Sequence, residues 1–241
     1  MTLSPLLAAL ALLAATATAA AEDAPVHAFH AEYATLRNGD EVGRTTLELV
    51  EAGDGAWRLR SETRGTAGLA KLAGIHVVET SRFRWRDGRP EAIAYDYRQE
   101  GAFRQRTREA RFDWSAREAR VSEGGEHHRY PIEAGTIDRQ SVTLGLASDL
   151  LRGASTFEYR VAVKDHVEGM HYARGSVESV RVPAGAFEAT LMRRVGEPGS
   201  DRKRVSRSWF AESLGWLPVQ IEQTEKNGDT VTLKLVSIRN D

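Results

Sequence analysis

The chain has 241 residues, of which 41% are hydrophobic and 28% are charged, a composition typical of a soluble globular protein with a core. Its formal net charge is −1, so no overall electrostatic field favours nucleic acid or an anionic membrane as a partner. Because there is no cysteine, we expect no disulfide framework, thiolate nucleophile, cysteine-ligated zinc, iron–sulfur centre or lipid-modified cysteine.

The N-terminal segment has the pattern of a secretory signal peptide. Leu6 to Ala15 is an unbroken apolar run that is too short to span a bilayer as a helix, and small residues follow it as far as Ala21. We expect cleavage after Ala21, which makes residues 1–21 a signal peptide and places the protein in the periplasm. A buried N-terminal helix is the alternative. No other segment is apolar enough for a membrane helix, so we expect no transmembrane anchor.

From residue 26 onwards the sequence alternates between strand and turn patterns. Asn38 and Gly39 form the dipeptide that most favours a tight hairpin, and in the strand that follows Ala56 the apolar Trp57 and Leu59 alternate with arginines. Strands with one apolar and one charged face are typical of an antiparallel sheet wetted on one side. About ten such strands must curl to bury the apolar face. We therefore predict a single all-β domain over residues 22–241, a curved, half-open, barrel-like meander of mainly antiparallel strands with one or two short helices.

Two segments break the strand pattern. Residues 65–74 lie between glycines and have the spacing of a short amphipathic helix or flap. Residues 138–152 have apolar side chains at helical spacing and predict a helix that starts at Asp138 or Ser141. We interpret Asp138 and Asp149 as capping or surface groups.

The sequence contains none of the common catalytic motifs. There is no G-x-S-x-G elbow, no H-E-x-x-H, no P-loop and no dinucleotide-binding glycine motif. His166 and His171 could meet across a turn at Gly169, although solvated turn histidines are the more common outcome. Carboxylates such as Glu32 and Glu48 could act as an acid–base pair, but their context does not indicate burial. We expect a non-enzymatic protein with no catalytic residues, cofactor or metal, and an unrecognised hydrolase remains an alternative.

Arginines recur at alternate positions in three predicted strands, the first of which carries Arg58 and Arg60. If these strands are neighbours in the sheet, the arginines form one basic face that can meet anionic headgroups, phosphorylated glycans or an envelope protein; a solvated face paired with nearby carboxylates is the alternative. Nucleic acid is not expected, because the chain is nearly neutral and exported. The residues of this basic face are Arg82, Arg84, Arg86, Arg104, Arg106 and Arg108.

Aromatic residues occupy the opposite side of the same predicted strands. A curved sheet can leave such a surface as a lipophilic groove, covered by the 65–74 flap or the 138–152 helix, and the interior of a β structure is a common ligand site. Ordinary core packing is the alternative for each ring. The predicted ligand-binding residues of this groove are Trp57, Phe83, Trp85, Tyr95, Tyr97, Phe112 and Trp114.

The C-terminal half resembles a known family. The segments Gly175 to Phe187, Trp209 to Ala211 and Gly215 to Ile221 are similar to domain-of-unknown-function family 3108 of exported Gram-negative proteins, and the resemblance runs over nearly the whole chain after the signal peptide. The last segment also resembles the corresponding strand–turn–strand of Lol-type periplasmic lipoprotein carriers. That more distant resemblance implies a half-open antiparallel barrel with helices in a lipophilic cavity. The family has no established activity and implies no catalytic residues.

The leading hypothesis is therefore a periplasmic, non-enzymatic binding protein for a lipid, a lipoprotein or another amphipathic envelope component. The first alternative is an envelope scaffold or adaptor that docks proteins or glycans through the basic face. The second is an unrecognised hydrolase.

Overall fold

A computed structural model describes residues 24–102, 105–196, 205–225 and 227–240. The predicted signal peptide, residues 1–21, lies outside the described residues and stays a prediction, and so does Arg104 of the predicted basic face. None of the helices among the described residues has the length and apolar character needed to cross a membrane.

The described part of the chain forms fifteen strands, two α-helices and a 3₁₀ turn at Glu212–Leu214. The first eight strands are β1 (Phe29–Arg37), β2 (Asp40–Glu51), β3 (Trp57–Gly65), β4 (His76–Arg86), β5 (Arg89–Glu100), β6 (Arg106–Asp113), β7 (Glu118–Glu123) and β8 (Glu126–Pro131). The other seven are β9 (Thr136–Ile137), β10 (Phe157–Ala162), β11 (Val167–Val182), β12 (Gly185–Val195), β13 (Val205–Ala211), β14 (Leu217–Thr224) and β15 (Thr230–Asn240). The helices are α1 (Gly68–Leu72) and α2 (Val142–Leu151).

All fifteen strands belong to one open sheet, in the order β8-β7-β6-β5-β4-β3-β2-β1-β15-β14-β13-β12-β11-β10-β9. Every neighbouring pair is antiparallel except β9 and β10. The predicted fold class, a mainly antiparallel, half-open, barrel-like sheet with short helices, is confirmed. The sheet has fifteen strands rather than about ten, and the least evident from alternation are β8, which has few apolar residues, and β9, which has only two residues.

The first and last strands pair in the middle of the sheet, so that two meanders extend from them in opposite directions. The β1–β2 turn has positive φ at Asn38 (51°) and Gly39 (93°), as a tight hairpin turn requires. Asn38 Nδ2 donates to Asp229 in the β14–β15 turn at 2.9 Å, and Arg37 forms an ion pair with the same carboxylate. The hairpin turn predicted from Asn38 and Gly39 is thus joined side by side with the β14–β15 turn.

Helix α2 lies on the concave side of the sheet and closes the main core. Eight of its ten residues are buried, which is why it carries apolar or small side chains around most of its circumference. Asp149 ties the helix to β5 and β10, because it accepts two hydrogen bonds from Arg89 at 2.9 and 3.0 Å and one from the Tyr159 hydroxyl at 2.8 Å. Gly145 lets the helix approach Tyr159 closely.

The far ends of the sheet meet through side chains. A second cluster near β8 contains Tyr95, Phe112, Tyr130 and Ile132. It also includes Ala162 of β10, which belongs to the other arm of the sheet, from β15 to β9. The Tyr130 hydroxyl donates to the backbone carbonyl of Val163, just after β10, at 2.6 Å. Because β8 and β9 are not paired with each other, the structure is a half-barrel closed by packing at this seam.

Helix α1 forms within the predicted 65–74 flap, between β3 and β4. None of its residues is buried, and Leu69 and Leu72 are each 83% exposed. The sharp return of the chain depends on Gly65, where a Cβ would lie 2.5 Å from the Ala70 carbonyl oxygen.

Candidate functional site

The concave side of the sheet contains a cavity of about 680 Å³, within the size range of small-molecule sites. It lies between the inner faces of β1–β6, the segment that leads into α2, and strands β14 and β15. Part of its wall is aromatic or aliphatic. The side chains of that part belong to Tyr33, Leu47, Leu59, Val77, Ile221, Val231 and Leu233.

A ladder of threonines crosses this wall. Thr35 and Thr45 hydroxyls lie 2.8 Å apart, and Thr45 and Thr63 hydroxyls lie 2.7 Å apart. Because these hydroxyl groups bond one another, this part of the wall requires no polar partner from a ligand.

Carboxylates concentrate near the N-terminus of α2. The Tyr95 hydroxyl donates to Glu79 at 2.6 Å, and burial raises the pKa of both groups. Burial also raises the pKa of Asp138, which accepts hydrogen bonds from the Ser81 hydroxyl at 2.6 Å and the Ser141 hydroxyl at 2.7 Å. The backbone N–H groups of Gln140 and Ser141 also donate to Asp138, so its side chain fixes the turn that leads into α2.

Asp138 and Asp149 correct part of the sequence interpretation. Asp138 fixes the turn before α2 rather than capping the helix, whose N-cap residue is Ser141, and neither aspartate is a surface group, because they are 1% and 0% exposed. Each carboxylate is enclosed by donors from distant strands, which local sequence spacing does not reveal.

The predicted basic face is divided between the two sides of the sheet. Arg82, Arg84 and Arg86 are exposed on the convex side, whereas Arg106 and Arg108 line the cavity. Arg108 pairs with Tyr97 in the β5–β6 register, which places it on the inner face. Alternation groups residues on a shared face but does not say which face is inside when both carry polar groups, as in β6.

The two inner arginines share one buried carboxylate. Arg106 Nε donates to Glu123 at 2.6 Å and Arg108 Nε donates to it at 2.8 Å. Burial alone would raise the pKa of Glu123, but these hydrogen bonds and charges lower it below its usual value. Much of the charge of this pair of arginines is thus compensated within the protein.

Arg139 is the cation of the cavity that lacks such compensation. It lines both the main cavity and a second cavity of about 200 Å³, which shares Thr143, Ile221 and Gln223 with the first. Within the described ranges, no hydrogen bond or ion pair joins its guanidinium group to another residue. Its side chain is exposed to solvent, yet the surrounding protein partly desolvates the guanidinium group and lowers its pKa, and the charges of Arg108 and Arg194 act in the same direction.

Sequence reasoning missed Arg139, although one signal was available. The residue stands just before the N-terminus of α2, where the helix dipole favours negative charge and disfavours a cation. A residue that opposes the preference of its local structure, as a cation does at a helix N-terminus, and has no compensating contact is typical of a functional position.

The seven predicted groove aromatics do not form one continuous wall. Tyr95 and Tyr97 line the cavity. The other five rings pack elsewhere, with Trp57, Phe83 and Trp85 in the main core and Phe112 and Trp114 in or against the second cluster. The predicted single aromatic groove is therefore corrected to two cavity-lining rings, because the other five rings fill the space beneath α2 and near the seam. Ligand binding by any of the seven stays a prediction.

The predicted histidine pair does not converge. His166 lies before β11, and Gly169 lies inside β11 opposite Arg160 rather than at a turn. His171 lies opposite Glu158 on the neighbouring strand. Over the parts of the chain that the structure describes, no group of three or more histidine, aspartate or glutamate side chains has a metal-binding arrangement.

Comparisons with known proteins identify a family and a fold. The model of a family described as protein of unknown function (DUF3108) matches residues 28–236. The beta-barrel-like protein of domain of unknown function DUF1849 from Brucella abortus superposes with a TM-score of 0.55 at 8% identity, covering 91% of this chain and 100% of that chain, a similarity of fold alone. A structure described as "a putative lipoprotein from Parabacteroides distasonis" gives a TM-score of 0.34 at 11% identity, over 90% of this chain and 97% of that chain, too low to support an inference. No curated protein matches the sequence significantly.

Proposed function

Since the chain belongs to the DUF3108 family, whose function is unknown, we propose from its own geometry that it is a periplasmic, non-enzymatic binding protein for an amphipathic envelope component, such as a lipid or the acyl part of a lipoprotein. The observation that supports this function is the concave cavity of about 680 Å³, which has an apolar wall and a charged end. An amphipathic molecule matches both parts.

The apolar wall provides the driving force for binding. Ile221, Val231 and Leu233 face the cavity and are only partly buried, so an acyl chain would remove their remaining apolar surface from water. Each square ångström of apolar surface buried contributes about 25 cal/mol. The wall therefore favours a ligand with a hydrocarbon portion.

The charged end is suited to binding rather than to catalysis. Asp138 accepts hydrogen bonds from two hydroxyls and two backbone N–H groups, which leaves it little capacity to act as a base. The Ser81 hydroxyl, which could serve as a nucleophile, is fully buried and donates to Asp138. Glu79 is engaged by Tyr95. We therefore consider the binding function better supported than the unrecognised hydrolase.

Filling the cavity tests the proposal. Leu233→Trp places a large ring in the wall opposite Thr35, whereas Val177→Trp adds the same ring at a position that is 59% exposed. Native mass spectrometry of protein purified from the periplasm should show a co-purifying amphiphile in the wild type and in Val177→Trp, and much less in Leu233→Trp. Circular dichroism verifies that both variants are folded. A wild type without any bound amphiphile, or equal loading of the two variants, would contradict the proposal.

The exposed arginines of β4 support the adaptor as a second candidate. Arg82 and Arg84 project from the convex side, and Arg86 forms an ion pair there with Glu91 at 3.1 Å. If this side docks an anionic envelope partner, Arg82→Glu with Arg84→Glu should abolish partner capture and leave the amphiphile in the cavity. Unchanged capture by this folded double variant would exclude the adaptor.

A further inference from the structure

We propose that the ligand of the cavity is an anionic amphiphile whose carboxylate or phosphate oxygens pair with the guanidinium group of Arg139. The inference rests on the proposed function and specifies the class of ligand. It assigns the unpaired arginine the role of a specificity-determining residue.

The distribution of ion pairs singles out Arg139. Arg106 and Arg108 are both held by Glu123, and Arg194, which lines the smaller cavity, donates to Glu168 at 2.9 Å. Of the four arginines that line the two cavities, Arg139 is the one that the described residues leave without an ion pair. Its five N–H donors remain available in a planar arrangement that matches an oxyanion.

The neighbouring carboxylates do not substitute for an external anion. Asp138 precedes Arg139 directly, yet its two oxygens are occupied by Ser81, Ser141 and backbone N–H groups. Glu79 acts on Arg139 through its charge, but the hydrogen bond at its carboxylate comes from Tyr95. The positive charges of Arg108 and Arg194 both act on Arg139 as well. Since Arg108 and Arg194 each have a carboxylate partner, Arg139 is the guanidinium group on which an anion placed there would mainly rely.

The position of Arg139 also fits a headgroup. Arg139 and Thr143, at the start of α2, line both cavities, and Gln140 lines the main one. The aliphatic wall that includes Leu59 and Leu233 extends from there along the sheet. A ligand with its charged end at Arg139 can therefore place its hydrocarbon chain against that wall without burying the charge among apolar groups.

Calorimetric titration with matched ligands tests the inference. The ligands are palmitate, palmitoyl lysophosphatidylglycerol and monopalmitoylglycerol, which share one acyl chain and carry a carboxylate, a phosphate and no charge. The variants are Arg139→Gln, Arg139→Lys and the control Arg98→Gln, whose side chain is 70% exposed and alternates with the inward-facing Tyr97. Thermal unfolding verifies the fold of each variant.

The expected result is a selective loss. Arg139→Gln should weaken the binding of at least one anionic ligand by about tenfold and leave monopalmitoylglycerol unchanged, because one charge-assisted contact is removed. Arg139→Lys should retain part of the affinity, and Arg98→Gln should retain all of it. The anionic ligand that binds more tightly identifies the headgroup as a carboxylate or a phosphate.

The experiment distinguishes failure of the anionic anchor from failure of the proposed binding function. If the wild type binds the neutral and anionic ligands equally, or if Arg139→Gln affects them equally, the anionic anchor is wrong while the proposed binding function stands. If no ligand of the three binds and none co-purifies from the periplasm, the proposed function and the anchor both fail.

Discussion

Glu62 shows how single side chains stabilise the convex side of the sheet. It lies in β3 and forms ion pairs with Arg60 and Arg64 in the same strand and with His76 in β4, whose Nε2 is 2.9 Å away. Burial alone would raise the pKa of Glu62, but the hydrogen bonds from Arg60 and His76 and the nearby positive charges lower it to about 2. Its stabilising contribution is therefore fully present above the unfolded-state pKa of 4.5 and is lost as the pH falls towards 2.

The first prediction concerns Glu62→Gln. At pH 7 the variant should unfold with a free energy about 1–2 kcal/mol lower than the wild type, a value reduced by the solvent exposure of its partners. Below pH 4.5 the difference should shrink, because the Glu62 carboxylate of the unfolded chain is then protonated, whereas that of the folded protein stays ionised until the pH approaches 2. Urea denaturation at several pH values measures this. Glu109→Gln, at a side chain 64% exposed, is the control, and a difference that does not vary with pH would contradict the assignment.

Arginine placement marks the limit of sequence reasoning at the residue scale. Alternation correctly groups Arg82 with Arg84, and Arg106 with Arg108, because a strand repeats every two residues. Alternation does not show that Arg106 and Arg108 face the interior, because that placement depends on Glu123, which lies on the next strand and binds both arginines. Arg139 was missed because its lack of a partner is a property of three-dimensional packing.

At the scale of elements, α2 depends on a close approach at Gly145. A Cβ at this position would lie 2.8 Å from Cε1 of Tyr159, a ring whose hydroxyl is held by Asp149. Alanine normally favours a helix over glycine by about 1 kcal/mol. The second prediction is that Gly145→Ala nevertheless destabilises the protein, by about 1–3 kcal/mol, because the ring cannot move away freely.

Thermal and urea unfolding measure the effect of Gly145→Ala. Gly175→Ala is the matched control, since its Cβ would meet only the Leu191 side chain, at 3.3 Å. A variant at Gly145 that is as stable as the wild type or more stable would show that α2 does not pack as closely as the structure indicates.

The third prediction concerns the attachment of α2 through Asp149. Asp149→Ala removes the acceptor of two hydrogen bonds from Arg89, one from Tyr159 and one from Arg152, and these donors lose that partner. We expect a loss of about 3 kcal/mol in unfolding free energy, at the lower end for a broken buried ion pair because Arg89 is 42% exposed. Hydrogen exchange should also become faster throughout α2.

The control for Asp149→Ala is Asp165→Ala, at a side chain that is 57% exposed and hydrogen-bonded only locally. If both variants lose the same small amount of stability, Asp149 does not hold the helix in place.

Elements were predicted best where local chemistry determines them. Residues 138–152 were expected to be helical and α2 spans Val142–Leu151, and the turn at Asn38 and Gly39 forms as its residue types require. The two-residue strand β9 was not predictable, because it exists only through its parallel pairing with β10. The burial of α2 on most sides also depends on the curvature of a sheet assembled from distant strands.

At the scale of the whole molecule, the weak point of the fold is the seam where the two arms of the sheet meet. Most of the sheet is held by continuous backbone pairing, whereas the seam relies on side chains of the second cluster, an ion pair between Lys164 and Glu126 at 2.5 Å, and the hydrogen bond from Tyr130 to the Val163 carbonyl. Few cross-seam contacts imply low local stability, so β8 should open more readily than the central strands.

The fourth prediction follows from this difference. Tyr130→Phe removes one buried hydrogen bond and should lower the unfolding free energy by about 1 kcal/mol. Hydrogen exchange measured by mass spectrometry should become faster in β8 and stay unchanged in β1, because β1 is paired on both sides. Tyr172→Phe is the control, since the Tyr172 hydroxyl makes no hydrogen bond with any described residue. Faster exchange throughout the sheet in Tyr130→Phe would mean that the seam unfolds together with the rest, and the half-barrel would then be one cooperative unit rather than a stable centre with a separable edge.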